Sequence, residues 1–160
     1  MKIQIVDEND NLIKCMERKE SDKNPGLIYR VSYLWITDTD GKILLAQRSF
    51  NKNHNPGKWG PAVAGTIDEG ETYESNIIKE AEEEIGLKDI KPILGKKTRE
   101  KTNWNYFSQE FLLTLPSGFN NFRIQEDEVE QLRWFSKDEL KEELISNPNI
   151  FLSLIHKKLK

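Results

Sequence analysis

The segment that most constrains how this chain can fold is residues 65–87, GTIDEGETYESNIIKEAEEEIGL. Between Thr72 and Ile85 the apolar residues Ile77, Ile78, Ala81 and Ile85 recur at helical spacing, and Gly86 stands where helices commonly stop. Each residue advances by about 100°, so Glu80, Glu83 and Glu84 share an arc of roughly 100° on a different sector from the apolar stripe. A helix with one apolar stripe has to bury it against another layer, which leaves the acidic edge looking away from the core. Like charges at i,i+3 and i,i+4 cost roughly 0.2–0.5 kcal/mol per pair. An ordinary solvated face relieves that cost with interleaved lysines; this edge has none.

The layer it packs on is legible as strands. Residues 2–6 alternate, meet a turn cluster at Asp7–Asn11 and are followed by the short apolar run Leu12–Met16, the pattern of a hairpin. Residues 17–26 are charged and end in Asn24-Pro25-Gly26, which reads as a loop. Leu27–Thr37, an Asp40-Gly41 turn and Lys42–Gln47 give a second hairpin. Residues 49–61, with two Pro, two Gly and three Asn, predict a loop, and Ala62–Gly65 a short extended piece. Ile93–Arg99, Trp104–Leu115 and Glu128–Phe135 complete the predicted strands, with a loop at 116–121. Ser136 and Glu139 form a capping-box start for a helix through Ile145, and Asn147-Pro148 opens a final helix. Strands mixed with a few helices indicate an α/β or α+β layered fold, with residues 1–160 as one domain.

Composition narrows the function. The chain carries 24 Lys and Arg against 27 Asp and Glu, a formal charge of −3, which disfavours a dedicated nucleic-acid binder because phosphate neutralisation needs a basic face. The longest apolar runs, such as ILLA at 43–46, fall far short of the roughly 20 residues that cross a bilayer. The N-terminus turns acidic within seven residues and predicts no secretory leader. The lone Cys15 has no partner for an intramolecular disulfide and fits a reducing cytoplasm; it reads as a small buried hydrophobe. His54 and His156 are too isolated to be metal ligands.

An acidic edge of this kind suits a hard divalent cation. Mg²⁺ or Mn²⁺ takes carboxylate oxygens, and Mg²⁺ in particular keeps several waters and recruits substrate phosphate oxygens. Gly65, Glu71, Glu80, Ala81, Glu83, Glu84, Gly86 and Leu87 match eight of the nine specified positions of the pattern G-x5-E-x7-R-E-U-x-E-E-x-G-U, where U is aliphatic. The chain therefore resembles the Nudix hydrolases. Lys79 stands where that family has Arg. VDENDNLI, LIYRVSYLWI, DGKILLAQRS, PGKWGPAVAGTIDEGE and EVEQLRWFSKDEL extend the likeness over most of the chain.

The resemblance implies the Nudix fold, a mixed β-sheet sandwiched between α-helices, and cleavage of the diphosphate bond of a nucleoside diphosphate linked to another moiety. It makes Glu80 and Glu84 the main ligands of Mg²⁺ or Mn²⁺, with Glu83 completing the acidic edge and a backbone carbonyl of Ala64 or Gly65 adding another. Glu80 is the favoured general base, Glu83 its acidic neighbour, and Glu71 with Lys79 the pair that orients the loop. Lys79 supplies the charge without the planar fork of Arg. Glu126 and Glu128 are candidates for a further ligand, an alternative base or a substrate contact. Arg48 and Lys58 are candidate phosphate contacts, with Arg30 and His54 fainter ones. Trp104, Tyr106 and Phe107 offer either a stacking face for a base or ordinary sheet packing. The implied partner is a small-molecule diphosphate, neither a nucleic-acid duplex nor a membrane, and homodimers are common in the family.

Two rivals stand beside this reading. The flanking segments look most like the branch that contains isopentenyl-diphosphate isomerase, which uses a Cys after the Pro-Gly-x-Trp loop and several His ligands; the stretch Pro56–Ala64 has neither. The other rival is a Nudix-fold nucleotide-binding module without chemistry. Such modules usually lose box carboxylates, and all four are present here.

Overall fold

The fold is organised around one long strand, β3 (Ile28–Asp38). In the computed structural model, which describes residues 1–159, β3 pairs in parallel along its whole length with β8 (Asn105–Leu115). Its other edge is shared in turn by three shorter partners, all antiparallel: β1 (Lys2–Val6), β6 (Val63–Thr66) and β4 (Ile43–Arg48). β2 (Leu12–Glu17) extends β1, and β7 (Ile93–Lys101) extends β8. β4 carries β5 (Trp59–Pro61) on one edge and β9 (Val129–Phe135) on the other. Among the described residues the result is a mixed sheet of nine strands.

Strand alternation sends successive side chains to opposite faces, so the sheet needs two covers. Leu34, Ile36, Leu44 and Val63 meet Ile77, Ala81 and Ile85 of helix α2 (Tyr73–Ile85) on one face. Trp35, Ile43, Leu45 and Phe135 meet Leu140 of α3 (Lys137–Ser146) and Ile155 of α4 (Ser153–Lys158) on the other. The expected sandwich of a mixed sheet between helices is what forms.

Local signals set most boundaries. Asp38 accepts hydrogen bonds from the backbone N–H of Asp40 and Lys42, closing the Asp-Gly turn. Ser136 caps α3, with its hydroxyl accepting from Glu139 N–H and the Glu139 carboxylate accepting from Ser136 N–H. Three expectations need correction. Arg18–Ser21 forms a four-residue helix, α1, where a loop was expected. The expected loop 49–61 ends earlier, because Trp59–Pro61 pairs with Leu45–Gln47. The final helix is interrupted: a 3₁₀ turn at Pro148–Ile150 gives way to extended Phe151, which bridges to Trp59 and is fully buried, before α4 begins. Burying Phe151 beside Trp59 and Phe135 outweighs the local preference for an unbroken helix. Cys15 lies half-buried on β2, not in the core.

Candidate active site

Helix α2 is held at both ends by features that fix its acidic edge. Thr72 accepts from the Ser75 N–H and Ser75 returns the bond to Thr72 N–H, forming an N-terminal capping box. At the other end Gly86 turns left-handed at φ 73°, its N–H bonding the Glu82 carbonyl. The last carbonyls are capped by the loop 116–128: Gln125 N–H reaches Glu84 O at 2.8 Å and Arg123 N–H reaches Ile85 O at 3.0 Å. The last turn holds no basic side chain. Acids there oppose the helix dipole as well as one another.

Between the preceding loop and the helix sits a hydrogen-bonded anchor. One Glu71 oxygen contacts Lys79 Nζ at 2.5 Å, while the other accepts from Asp68 N–H at 2.9 Å and Asn76 Nδ2 at 2.8 Å. Lys79 also reaches Asp68 at 3.2 Å. Burial pushes the Glu71 carboxyl up, but these bonds prevail and hold it below the usual carboxylate range. Burial likewise disfavours the Lys79 ammonium, yet Glu71 and Asp68 hold it above the ordinary lysine range. The sequence-expected pair Glu71–Lys79 therefore meets directly. Asn76 escaped the sequence reading because a polar residue in an apolar-periodic helix gives no signal of its own. It is fully buried, with Nδ2 also donating to Thr66 O and Oδ1 accepting from Ser32 Oγ.

Glu80 and Glu84 are treated differently. They stand one helical turn apart on the wall of a cleft of about 670 Å³. Burial pushes Glu80 up to about 7; Lys79, 3.7 Å away, opposes this, and Glu83, Glu71 and Asp68 reinforce it. Glu84 is pushed well above its ordinary value by burial, then by Glu80 and Glu128, against the pull of Lys52 and the Ala64 backbone N–H. Two carboxylates held in mutual repulsion and poorly solvated are a donor set that a divalent cation would relieve. Gly65 makes room for Glu80 and Asn76: a Cβ there would lie 2.6 Å from Glu80 Cγ and 2.6 Å from Asn76 Oδ1. Among the described residues no three His, Cys, Asp or Glu already converge on one point. Mg²⁺ fits a sparse set of that kind, because it completes its shell with waters and phosphate oxygens.

The remaining expected residues divide. Glu83 and Ala64 line the same cleft. Arg48 does too, its Nε donating to His54 O at 3.0 Å; burial lowers its affinity for the proton while Glu128 and Glu84 counteract. Glu128 lines it and pairs with Lys52 at 2.5 Å, tying the loop 116–128 to the loop 49–58. Lys58 and Glu126 are not among the lining residues, and Glu126 is exposed. Arg30 is committed elsewhere, to Asp10 and Gln4. Of the aromatic trio, Phe107 is buried, Tyr106 lines the cleft and accepts from Tyr33 OH at 3.1 Å, and Trp104 lines it at the tip of the β7–β8 hairpin. His54 joins them, and His156 contacts Pro148 O away from the site.

Comparison with known proteins agrees with this geometry. A Nudix hydrolase of uncharacterised function from Yersinia pestis is 29% identical over 143 residues, 86% of this chain and 74% of that protein. An isopentenyl-diphosphate Delta-isomerase from Streptomyces avermitilis is 31% identical over 85 residues, which span 53% of this chain and only 43% of the isomerase. Nudix hydrolases from Streptomyces coelicolor and Pseudomonas aeruginosa are likewise matched over about half their length, and one from Listeria monocytogenes over 80% of it. The crystal structure of DR0079 from Deinococcus radiodurans superposes with a TM-score of 0.77 at 19% identity, covering 92% of this chain and 90% of that one. The NUDIX domain profile itself matches residues 27–153, the stretch from β3 to the start of α4 that contains both the anchored loop and the acidic helix edge. With the profile spanning most of its length, the chain belongs to the Nudix family.

Proposed function

We propose that this protein is a Mg²⁺- or Mn²⁺-dependent hydrolase that cleaves the diphosphate bridge of a small molecule, a nucleoside diphosphate linked to a further group. The observation that carries the reading is the pair Glu80 and Glu84: one turn apart, facing a cleft, and destabilised as anions until a cation joins them. Glu80, Glu84 and Glu83 would hold the metal, with the backbone of Ala64 or Gly65 at its side. When bound, the ion lowers the pKa of water and offsets the charge that develops on phosphorus-bound oxygens. The chain supplies the rest. Glu71 and Lys79 fix the loop against α2, so the Glu80 side chain is orientated before substrate arrives. Arg48 brings a guanidinium to the same cleft, where it can grip phosphate oxygens. Glu80, on the cleft wall beside the metal position, is the favoured group to take a proton from the attacking water.

A thiol-dependent isomerase fits less well, because the only cysteine, Cys15, lies on β2 and does not line the cleft. Retention of all the box acids speaks against a module that only binds. The test is Glu84→Gln. It should cut metal-dependent phosphate or pyrophosphate release by about 100-fold or more while leaving the circular dichroism spectrum unchanged. Full turnover in a normally folded variant would sink the assignment, and metal-saturable binding without turnover in the wild type would favour the binding module. The proposal carries with it a cytoplasmic location.

A further inference from the structure

Gln4 is the one polar residue that β1 buries, 3% exposed between Ile3 and Ile5. A carboxamide so placed costs free energy unless its N–H groups and its oxygen are all bonded. Here they are: Nε2 donates to Asp68 O at 2.9 Å and to Glu71 O at 2.8 Å, and Oε1 accepts from Arg30 Nη1 at 2.7 Å. Arg30 can only donate and the two carbonyls can only accept, so the amide has one permitted orientation. Asp68 and Glu71 are the ends of a single turn, closed by Glu71 N–H on Asp68 O and passing through Gly70 at φ 83°. The backbone of β1 grips the same segment, with Gln4 N–H on Ile67 O at 3.1 Å and Glu69 N–H on Lys2 O at 2.9 Å.

This turn carries the carboxylates that Lys79 joins, so Lys79 holds its side chains while Gln4 holds its main chain. Among the described residues Asp68 Oδ1 is buried with no hydrogen-bond partner, which opposes that placement; the bonds from β1 offset the opposition. Arg30 is fixed in its turn. Its Nε and Nη2 bind Asp10, whose backbone is left-handed at φ 61° and whose carboxylate also accepts from Lys97 Nζ at 2.6 Å and Tyr73 OH at 3.0 Å. Tyr73 opens α2 and Lys97 lies on β7. A continuous hydrogen-bonded chain therefore runs from the helix and β7 through Asp10, Arg30 and Gln4 to the turn beside Glu80.

We propose that Gln4 is a positioning residue for the cation site: it fixes the 68–71 turn so that Asp68 and Glu71 hold Lys79, and through it Glu80, ready for the metal. The strand that supplies it precedes the stretch matched by the NUDIX profile, so the support of the site extends beyond that profile. The inference rests on the reading of Glu80 and Glu84 as cation ligands and adds to it a group that does not touch the ion.

The test compares the full-length protein with Gln4→Met, Gln4→Glu and Val6→Ala at pH 8. Methionine keeps the length and removes every bond; glutamate keeps an oxygen for Arg30 and loses both donors to the turn. Val6 is buried on the same strand in a separate cluster with Ile28 and Phe107, so its truncation loosens β1 without removing a bond to the turn. Mn²⁺ binding is read by electron paramagnetic resonance without substrate, and hydrogen exchange of residues 68–71 is read in chelator. Both Gln4 variants should raise the Kd for Mn²⁺ about tenfold and speed exchange of the turn about tenfold. Val6→Ala should leave both within about twofold of wild type even though it lowers the urea midpoint. A Gln4→Glu variant that binds Mn²⁺ as wild type does reduces Gln4 to a dock for Arg30 and overturns the proposal, as does an equal weakening in Val6→Ala. Should Gln4→Met fail to fold by circular dichroism, Gln4→Glu carries the comparison. A wild type that binds no Mn²⁺ overturns the cation reading and this proposal with it, whereas a wild type that binds Mn²⁺ no more tightly than the Gln4 variants overturns this proposal alone.

Discussion

Replacing Glu80 by Gln should stabilise the metal-free protein in neutral and alkaline solution. Burial takes the Glu80 carboxyl from 4.5 to about 7 in the folded chain. Between those two values the folded protein holds a proton that the unfolded chain has released, so stability falls as pH rises through the window. The penalty is absent below the unfolded value and complete above the folded one. At about 1.36 kcal/mol per unit, the shift amounts to about 3 kcal/mol. Glu80 is only 18% exposed, so solvent screening removes little of it. Glutamine keeps the shape and cannot ionise, and the attraction to Lys79 at 3.7 Å is already contained in the net shift. The net expectation is a gain of about 1–3 kcal/mol near pH 8, shrinking to nothing near pH 4. Urea unfolding in chelator, followed by circular dichroism at both pH values, measures it. Adding Mg²⁺ should reverse the order, stabilising the wild type more than the variant. A variant no more stable than wild type in alkaline chelator would refute the claim that this carboxylate is strained without its cation.

Three further substitutions probe the anchor around it. Lys79→Ala strips Glu71 and Asp68 of their cation and should cost about 1–3 kcal/mol in denaturant midpoint analysis, with a roughly 10- to 100-fold loss of turnover. Lys79→Arg should stay within a few-fold of wild type by the same assays, because the guanidinium fork reaches the same two carboxylates. Gly65→Ala places a methyl 2.6 Å from both Glu80 and Asn76 and should cost about 1–3 kcal/mol, with weakened metal dependence in a Mg²⁺ titration of activity.

What could be read from the chain alone follows physical range. The carboxylate edge of α2 was legible because helical periodicity is local, and Ile77, Ala81 and Ile85 are indeed fully buried. The caps at Ser136 and Gly86 were legible for the same reason. The parallel pairing of β3 with β8 was not, since partners some 77 positions apart, such as Tyr29 and Tyr106, leave no mark on either strand's own pattern. Phe151 illustrates the conflict: its neighbours favour helix, and a distant Trp59 draws it into extended backbone. In the site, residues next to one another on the helix were found, but Asn76, Lys52 and the His54–Trp104 contact depend on loops meeting in space. Lys58 and Arg30 show the reverse. Their charge made them candidates, and neither lines the cleft.

The box acids also show how one lysine sorts chemically identical groups into different tasks. Glu71 and Asp68 lie on the loop side, where Lys79 can reach both, and Glu71 gains two further donors; it is held ionised and serves as a fixed structural anion. Glu80 is the next residue along the helix, yet the same ammonium is 3.7 Å from it, too far for a strong hydrogen bond. Glu84, a turn further on, is left with Lys52 and one backbone N–H against burial and two neighbouring anions. The pair that lacks compensation is the pair that faces the cleft. A cation site made in this way needs no residue whose sole purpose is selectivity. On the function proposed above, the protein withholds charge balance from two carboxylates, keeps them apart from bulk water, and leaves the balance to a hard ion that would arrive with the diphosphate.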